Sequence, residues 1–354
     1  MLKSHFDLRR DDVEEGEVEA EEHAPPETVP EEEKISYPER KLNKSEVSIR
    51  LSMLGKTAEG DGYTYLKATL TDMKLTDITA IKSFKHLQFL NVSNNFLDLE
   101  ALQVITQLQF LILIQADKNN LYSVALKKMK YMQVMIMNNN NVSSVHDVFQ
   151  PELSTLELAY NKIQKVRFDS KMSNIKCLDF RYNIIDDIGD INFPNLDSLY
   201  LAGNKITSLV GIEKLVNLRI LHVRYNPIRT LNGFVPELKK LQYINLRNCK
   251  IASLKQVKKL KVLKALDTLI IKGCPYMGGT GEETAEVGAE EEDPELRLEV
   301  LASLPRLKRL NKNVVSPEEK NEAKELMKQW LEEGFKDEED VEEEENEEQS
   351  NAED

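Results

Sequence analysis

Three cysteines in 354 residues, Cys177, Cys249 and Cys274, are too few and too unevenly spaced for a disulfide framework. No CxxC pair or interleaved histidine offers a zinc site. Aromatic residues make up only 6% of the chain, with one tryptophan, and no apolar run approaches the roughly 18 residues that a membrane span needs. The opening stretch, MLKSHFDLRRDDVEE, lacks the apolar core of a secretory leader. These shortages predict a protein of a reducing cytoplasmic compartment with no metal, no cofactor and no membrane association. Catalytic groupings are missing too. His5, His23, His86, His146 and His222 share no spacing with Asp, Ser or Cys that would build a triad, and GGTGEET at 278–284 lacks the lysine of a phosphate-binding loop. No enzyme is expected.

Charge is plentiful but unevenly placed. The net charge of −14 comes from 47 basic and 61 acidic side chains. Residues 1–46 hold 15 of the acidic ones, 278–293 hold 7 and 331–354 hold 14, so the remaining body is about +14. An acidic average thus conceals a basic core region.

Between Tyr65 and Tyr276 the sequence returns again and again to L-x-x-L-x-L-x-x-N-x-L, the leucine-rich-repeat signature. Leu196, Leu199, Leu201, Asn204 and Ile206 form its cleanest copy. Aligned on the Asn position, the chain runs through Met73, Asn95, Asn119, Asn140, Asn161, Asn183, Asn204, Asn226, Cys249 and Cys274, about ten repeats of 21–25 residues. Alternation within L-x-L turns the leucines inward and their neighbours outward on a short strand. The Asn buries its amide against backbone groups that would otherwise go unpaired, and a cysteine can take the slot as a small, weak donor. Apolar residues at every third position after the Asn, such as Ile206, Leu209, Ile212, Leu215 and Leu218, suggest 3₁₀ or short helical turns. The fold expected is an α/β solenoid with a concave parallel β-sheet, a 3₁₀ or short-helix convex side and helical caps at both ends.

At the ends, the composition of residues 1–46 predicts a disordered acidic arm, and 47–310 the solenoid with its caps. A helix over Ser45–Leu54 would bury Val47, Leu51 and Leu54 above the first repeat, and Leu296–Leu310 would close the other end, with 278–293 an acidic loop insertion. Ser316, Pro317 and Glu319 announce a helix over 316–335. Its apolar stripe, Ala323, Leu326, Met327, Trp330 and Leu331, either packs on the solenoid or docks on a partner through Leu326, Met327 and Trp330. Residues 336–354 read as a disordered acidic tail.

The repeat register also locates the outward positions of the concave face. Two residues before the ladder position stand Ser93, Asp117, Asn138, Ala159, Arg181, Ala202, Arg224, Arg247 and Lys272. One before it come Tyr160, Tyr182, Tyr225 and Asn248, and four before it Glu157, Asp179, Tyr200, His222, Asn245 and Ile270. Arginine beside tyrosine is the composition of interface hot spots. We therefore expect partner binding by Arg181, Arg224, Arg247, Lys272, Tyr160, Tyr182, Tyr200, His222 and Tyr225. Glutamate-rich ends would repel phosphates, so an acidic protein is favoured over nucleic acid.

The segment LSMLGKTAEGDGYTYLKATLTDMKLTDI (51–78), the exit run LRLEVLASLPRLKRLN and the acidic helix after it resemble the leucine-rich repeat-containing protein twenty-three family, within the repeat subclass typified by SDS twenty-two. The likeness spans residues 47 to about 332. It implies a structural subunit of the radial spokes in motile cilia, part of a large hetero-complex with other spoke proteins. A phosphatase regulatory subunit and a dynein-associated repeat chain share the repeat type.

Overall fold

Each repeat yields only a three-residue strand, because the backbone must bend at the ladder position to begin the next turn. The computed structural model describes residues 37–57, 59–282 and 293–332. Its nine short strands are β3 (Phe89–Asn91), β4 (Leu113–Gln115), β5 (Val134–Ile136), β6 (Thr155–Glu157), β7 (Cys177–Asp179), β8 (Ser198–Tyr200), β9 (Ile220–His222), β10 (Tyr243–Asn245) and β11 (Thr268–Ile270). They pair in parallel, each with the next in sequence, inside one open 13-stranded sheet. A longer antiparallel hairpin of β1 (Leu51–Lys56) and β2 (Tyr63–Thr69) flanks them on one side, and on the other the two-residue β12 (Arg309–Leu310) ends against the two-residue β13 (Asn313–Val314).

The inward aliphatic residues of neighbouring turns, among them Leu199, Leu201, Leu221 and Val223, form one continuous core in which these side chains are fully buried. On the convex side the helical turns are fewer than the three-residue spacing suggests. They occur at Thr79–Ser83, Ile212–Lys214, α2 (Leu99–Leu102) with its 3₁₀ continuation, and α3 (Leu254–Lys258) running into Lys259–Val262. Between Asn119 and Leu201 the convex segments cross in turns. In the later segments Pro151, Asp186, Asp187, Gly189 and Pro194 are poor helix formers, but the stretch Ala125–Lys130 is rich in Leu, Lys and Met like 254–262 and still crosses without a helix, which composition does not account for.

The Asn ladder runs through the molecule as expected. Asn204 donates its amide to the carbonyls of Phe180 (3.0 Å) and Leu201 (2.9 Å), and its Oδ1 accepts from the Ile185 N–H (3.0 Å). Asn226 repeats the pattern toward Leu201, Val223 and Ile206, one turn further on. Cys249 and Cys274 occupy later rungs, their thiols donating to the carbonyls of Val223 (3.3 Å) and Leu246 (3.1 Å). A further rung follows that the repeat alignment missed: buried Asn311 accepts from the N–H groups of Ile271 and Lys272 at 2.8 and 2.9 Å.

The N-terminal end differs from expectation. Helix α1 covers only Lys44–Ser48, held by a capping box in which Asn43 accepts from the Glu46 N–H and Glu46 accepts from the Asn43 N–H. The residues expected to continue it to Leu54 are instead β1, with Leu54 pointing to solvent at 65% exposure. An exposed edge on β2 needs a backbone partner more than the core needs another leucine. Nor do residues 1–46 act as one arm: Leu42 is buried and donates its N–H to the Asp77 carbonyl, so the cap begins ahead of residue 47. Residues 1–36 of the expected arm, 283–292 of the insertion and 333–354 of the helix end and tail lie outside the described residues. The start of the insertion is seated against the strand ends, with Gly281 donating to the Gly273 carbonyl and Asn248 to the Glu282 carbonyl.

At the C-terminal end α4 (Pro294–Ser303) starts at Asp293, whose carboxylate accepts from the Glu295 N–H, and lays Val300 and Leu301 over the last repeat. Helix α5 (Pro317–Glu332) begins with a second capping box, between Ser316 and Glu319. It folds back on α4, where buried Arg297 donates to Glu319 at 2.6 Å and to the Leu310 carbonyl at 3.0 Å. Leu326, Met327 and Trp330, for which packing on the solenoid and docking on a partner were both open, lie partly buried against the chain's own core, because the cap leaves apolar surface that this stripe covers. Among the described residues no helix is long and apolar enough to cross a membrane.

Two stability measurements check this account. Asn204→Ala leaves the Phe180 and Leu201 carbonyls with the amides of Asn183 and Asn226 but strands the buried Ile185 N–H, so urea unfolding is expected to lose about 1–3 kcal/mol, whereas no measurable loss would contradict a structural ladder. The guanidinium of Arg297 holds the Glu319 carboxyl below its ordinary 4.5. A carboxyl depressed on folding stabilises above its unfolded value and loses that contribution as pH falls through the folded one. Glu319→Gln should therefore lower the melting temperature at pH 7, with the gap to the parent closing below about pH 4.5.

Candidate interaction surface on the concave face

Successive strands sit about 4.8 Å apart, so side chains at one register position form columns close enough to stack. Tyr160 and Tyr182 do so, with ring centroids 4.5 Å apart and planes 11° from parallel. Their column is unusual in its backbone. The residue just before each ladder position is left-handed throughout, including Asn94, Lys118, Asn139, Tyr160, Tyr182, Gly203, Tyr225 and Asn248. Asparagine and glycine suit that conformation, but a bulky side chain strains it. Three tyrosines there, at φ of 55°, 52° and 56°, are held by the turn and the ladder bond beside them. The intervening Gly203 is required: a Cβ would lie 2.5 Å from the Tyr182 ring, which leans across it.

A second stack runs across the strand ends. Tyr200 lies 4.9 Å from His222, and His222 lies 4.7 Å from Tyr243. Tyr243 was not among the expected residues. It opens β10, two positions before Asn245, so the alternation that turns Asn245 toward the concave face turns Tyr243 there as well. Cations line the stacks: the Arg181 guanidinium sits 5.9 Å from the Tyr200 ring and that of Arg224 5.2 Å from Tyr225.

The four cations are not equivalent. Arg181 is engaged with Asp179, its Nε donating at 3.0 and 3.1 Å and its Nη2 at 2.8 Å to the carboxylate. Asp179 itself is 1% exposed, although its register position faces outward. Glu157, Ala159, Ala202, Asn245, Asn248 and Ile270 are likewise buried where the register predicts exposure, Asn248 with its amide donating to the Glu282 carbonyl. The surface offered to a partner is thus narrower and more aromatic than the column list implies. Its positive charge stands mainly at Arg224, Arg247 and Lys272, all partly exposed.

The thiols belong to the frame. Burial pushes the Cys274 thiol up to about 12 and that of Cys249 higher still, so both stay protonated donors in the ladder. Among the described residues no group of three or more His, Cys, Asp or Glu is placed to hold a metal ion.

Residues 194–236 match the family model for leucine-rich repeats (2 copies). Leucine-rich repeat-containing protein 23 of Bos taurus is 34% identical over 279 residues, covering 78% of this chain and 77% of that protein. The human protein of that name is 34% identical over 286 residues, 80% of this chain and 78% of its own length, and the Xenopus tropicalis one 36% over 285 residues, 80% and 77%. The chain belongs to the leucine-rich repeat-containing protein 23 family. Its fold is shared more widely. The TLR13 chain in a crystal structure of a TLR13–ssRNA13 complex superposes with a TM-score of 0.51 at 19% identity, over 71% of this chain and 44% of that one. The leucine-rich repeats of this family support a protein-interaction scaffold, and in this chain the aromatic and cationic side chains described above lie along the strands from β6 to β11.

The strained tyrosine column makes a specific expectation. Tyr182→Asn relieves a left-handed strain as it removes a stacked pair, so thermal stability should move by less than about 1 kcal/mol. Tyr182→Val loses the stack and worsens the strain, with an expected cost of about 2 kcal/mol in the same unfolding measurement.

Proposed function

We propose that this chain is a non-catalytic structural subunit of the ciliary axoneme, seated in the head of a radial spoke and held in the cytoplasm by its neighbours there. The kinship described above supports the placement through the family's association with spokes. The observation that carries the binding mode is the run of close rings, stacked at Tyr160–Tyr182 and Tyr200–His222 and tilted at His222–Tyr243, bordered by Arg224, Arg247 and Lys272 on one face. Rigid amphipathic rings supply contact area at low entropic cost, and the arginines select an acidic partner surface. Such a face fits a neighbouring spoke protein with exposed carboxylates.

Cross-linking mass spectrometry on isolated axonemes tests the placement: links from the concave face to spoke-head proteins are expected. Links to a dynein motor domain or to a phosphatase catalytic subunit would replace the proposal with one of those readings. For the binding mode, Arg224→Glu combined with Arg247→Glu should weaken the cross-linked partner's affinity by at least about tenfold, or 1.4 kcal/mol, with the circular dichroism spectrum unchanged. Unaltered affinity would remove the concave face from the interface.

A further inference from the structure

The chain holds one Asn-Gly pair, Asn232–Gly233, in a turn between β9 and β10. The glycine is dictated by the fold. Its φ is 97°, and a Cβ there would lie 2.7 Å from the Leu209 carbonyl oxygen of the preceding turn. The residue ahead of it is not dictated, since the equivalent pairs one and two turns earlier are Val210–Gly211 and Ile188–Gly189. Asparagine in that place is reactive: its Cγ can close a five-membered ring with the next backbone nitrogen, and glycine has no side chain to crowd the approach. Three features of the structure prepare this reaction. Asn232 is exposed, so water reaches it. Among the described residues the Gly233 N–H has no hydrogen-bond partner, which leaves the nitrogen available. The Lys259 ammonium, from the next convex segment, donates to Asn232 Oδ1 at 2.6 Å. That segment fixes the turn a second time, where Gln256 Oε1 accepts from the Leu231 N–H at 2.9 Å. A cation bonded to the amide oxygen draws electron density from Cγ and stabilises the oxyanion that forms on attack.

From the exposed amide, the available glycine nitrogen and the bound cation, we infer that Asn232 is a site of spontaneous covalent modification, at which the folded chain promotes its own deamidation. Gly233 N gives its proton to solvent base and bonds to Asn232 Cγ, while Lys259 holds the negative charge developing on Oδ1. The tetrahedral centre expels Nδ2, which takes up a proton and leaves as ammonia, and a succinimide ring remains. Water then adds to one of the two ring carbonyls. Cleavage between Cγ and Gly233 N restores the main chain with aspartate in place of asparagine, whereas cleavage at the other carbonyl gives isoaspartate, whose main chain runs through the side-chain methylene. Nothing is oxidised or reduced: one water is consumed and one ammonia released. Either product carries a carboxylate beside Lys259, so a hydrogen bond becomes an ion pair. The isoaspartate path also lengthens the main chain at a turn with no room for a Cβ, which loosens the packing of this turn on Leu209.

The test holds purified full-length protein at physiological temperature and pH beside a sample unfolded in guanidinium chloride. Both are sampled over time and digested with trypsin, and mass spectrometry follows the peptide Thr230–Lys239 for the mass gain that turns an amide into an acid. Isoaspartate is counted with a methyltransferase that uses S-adenosylmethionine. Asn232 is expected to deamidate faster than every other asparagine, and at least about fivefold faster in the folded protein than in the unfolded one. Lys259→Met should abolish that advantage, Lys259→Arg should keep it because a guanidinium also donates, and neither should alter the unfolded rate. Asn232→Gln should stay intact, since its ring closure is six-membered and slower. A smaller ratio of folded to unfolded rates in the parent would overturn the proposal. So would an unchanged folded rate in Lys259→Met with its melting temperature preserved. Should that variant fail to fold, the ratio measured on the parent decides alone.

Discussion

The buried asparagine amide is the bond on which the rest of this molecule depends. Each one ties a strand to the preceding turn through its NH₂ group and receives a backbone N–H from that same turn, as Asn204 does with Phe180 and Ile185. A side chain of that shape, fully satisfied only when two turns lie in contact, makes every repeat useless alone and stable in a stack. The leucines supply most of the driving force, yet they would tolerate sliding. The amide bonds do not, and the in-register pairing from β3 to β11 follows from them.

A stack of mutually dependent turns must stop somewhere, and the two ends stop differently. The C-terminal end is covered by α4 and α5, anchored on Arg297, while the N-terminal end turns the sheet back on itself with the β1–β2 hairpin. One end hides its core under helices, and the other moves its open edge outward by one strand. Ile49, Met53, Leu54, Tyr63 and Tyr65 remain exposed as a result.

The solenoid, its repeat count and its ladder were legible in the sequence because period and burial coincide: a leucine every few residues and an asparagine about every 22 leave little freedom. Asn311 escaped because 37 residues separate it from Cys274, which breaks the period while keeping the bond. Leu54 was misplaced for a different reason. Over so short a stretch an apolar residue fits a helix stripe and a strand face equally, and the choice between them was made by the unpaired edge of β2, a tertiary demand. On the concave face, register predicted which residues point outward but not which remain exposed. Asp179 points outward and is buried nonetheless, because Arg181 folds over it. Tyr182 was legible as a surface residue, whereas its left-handed backbone was not, since the side chain there is normally asparagine or glycine.

The two cysteine rungs, finally, have a mechanical meaning. A solenoid whose turns touch only their neighbours behaves as springs joined in series, so its compliance under tension concentrates in the weakest coupling. Asn226 bonds through both ends of its amide, while Cys249 and Cys274 each offer a single thiol donor to a carbonyl. A filament component pulled along its length would yield first between β9 and β11, beside the aromatic stack of His222 and Tyr243, and would transmit force with little extension everywhere else.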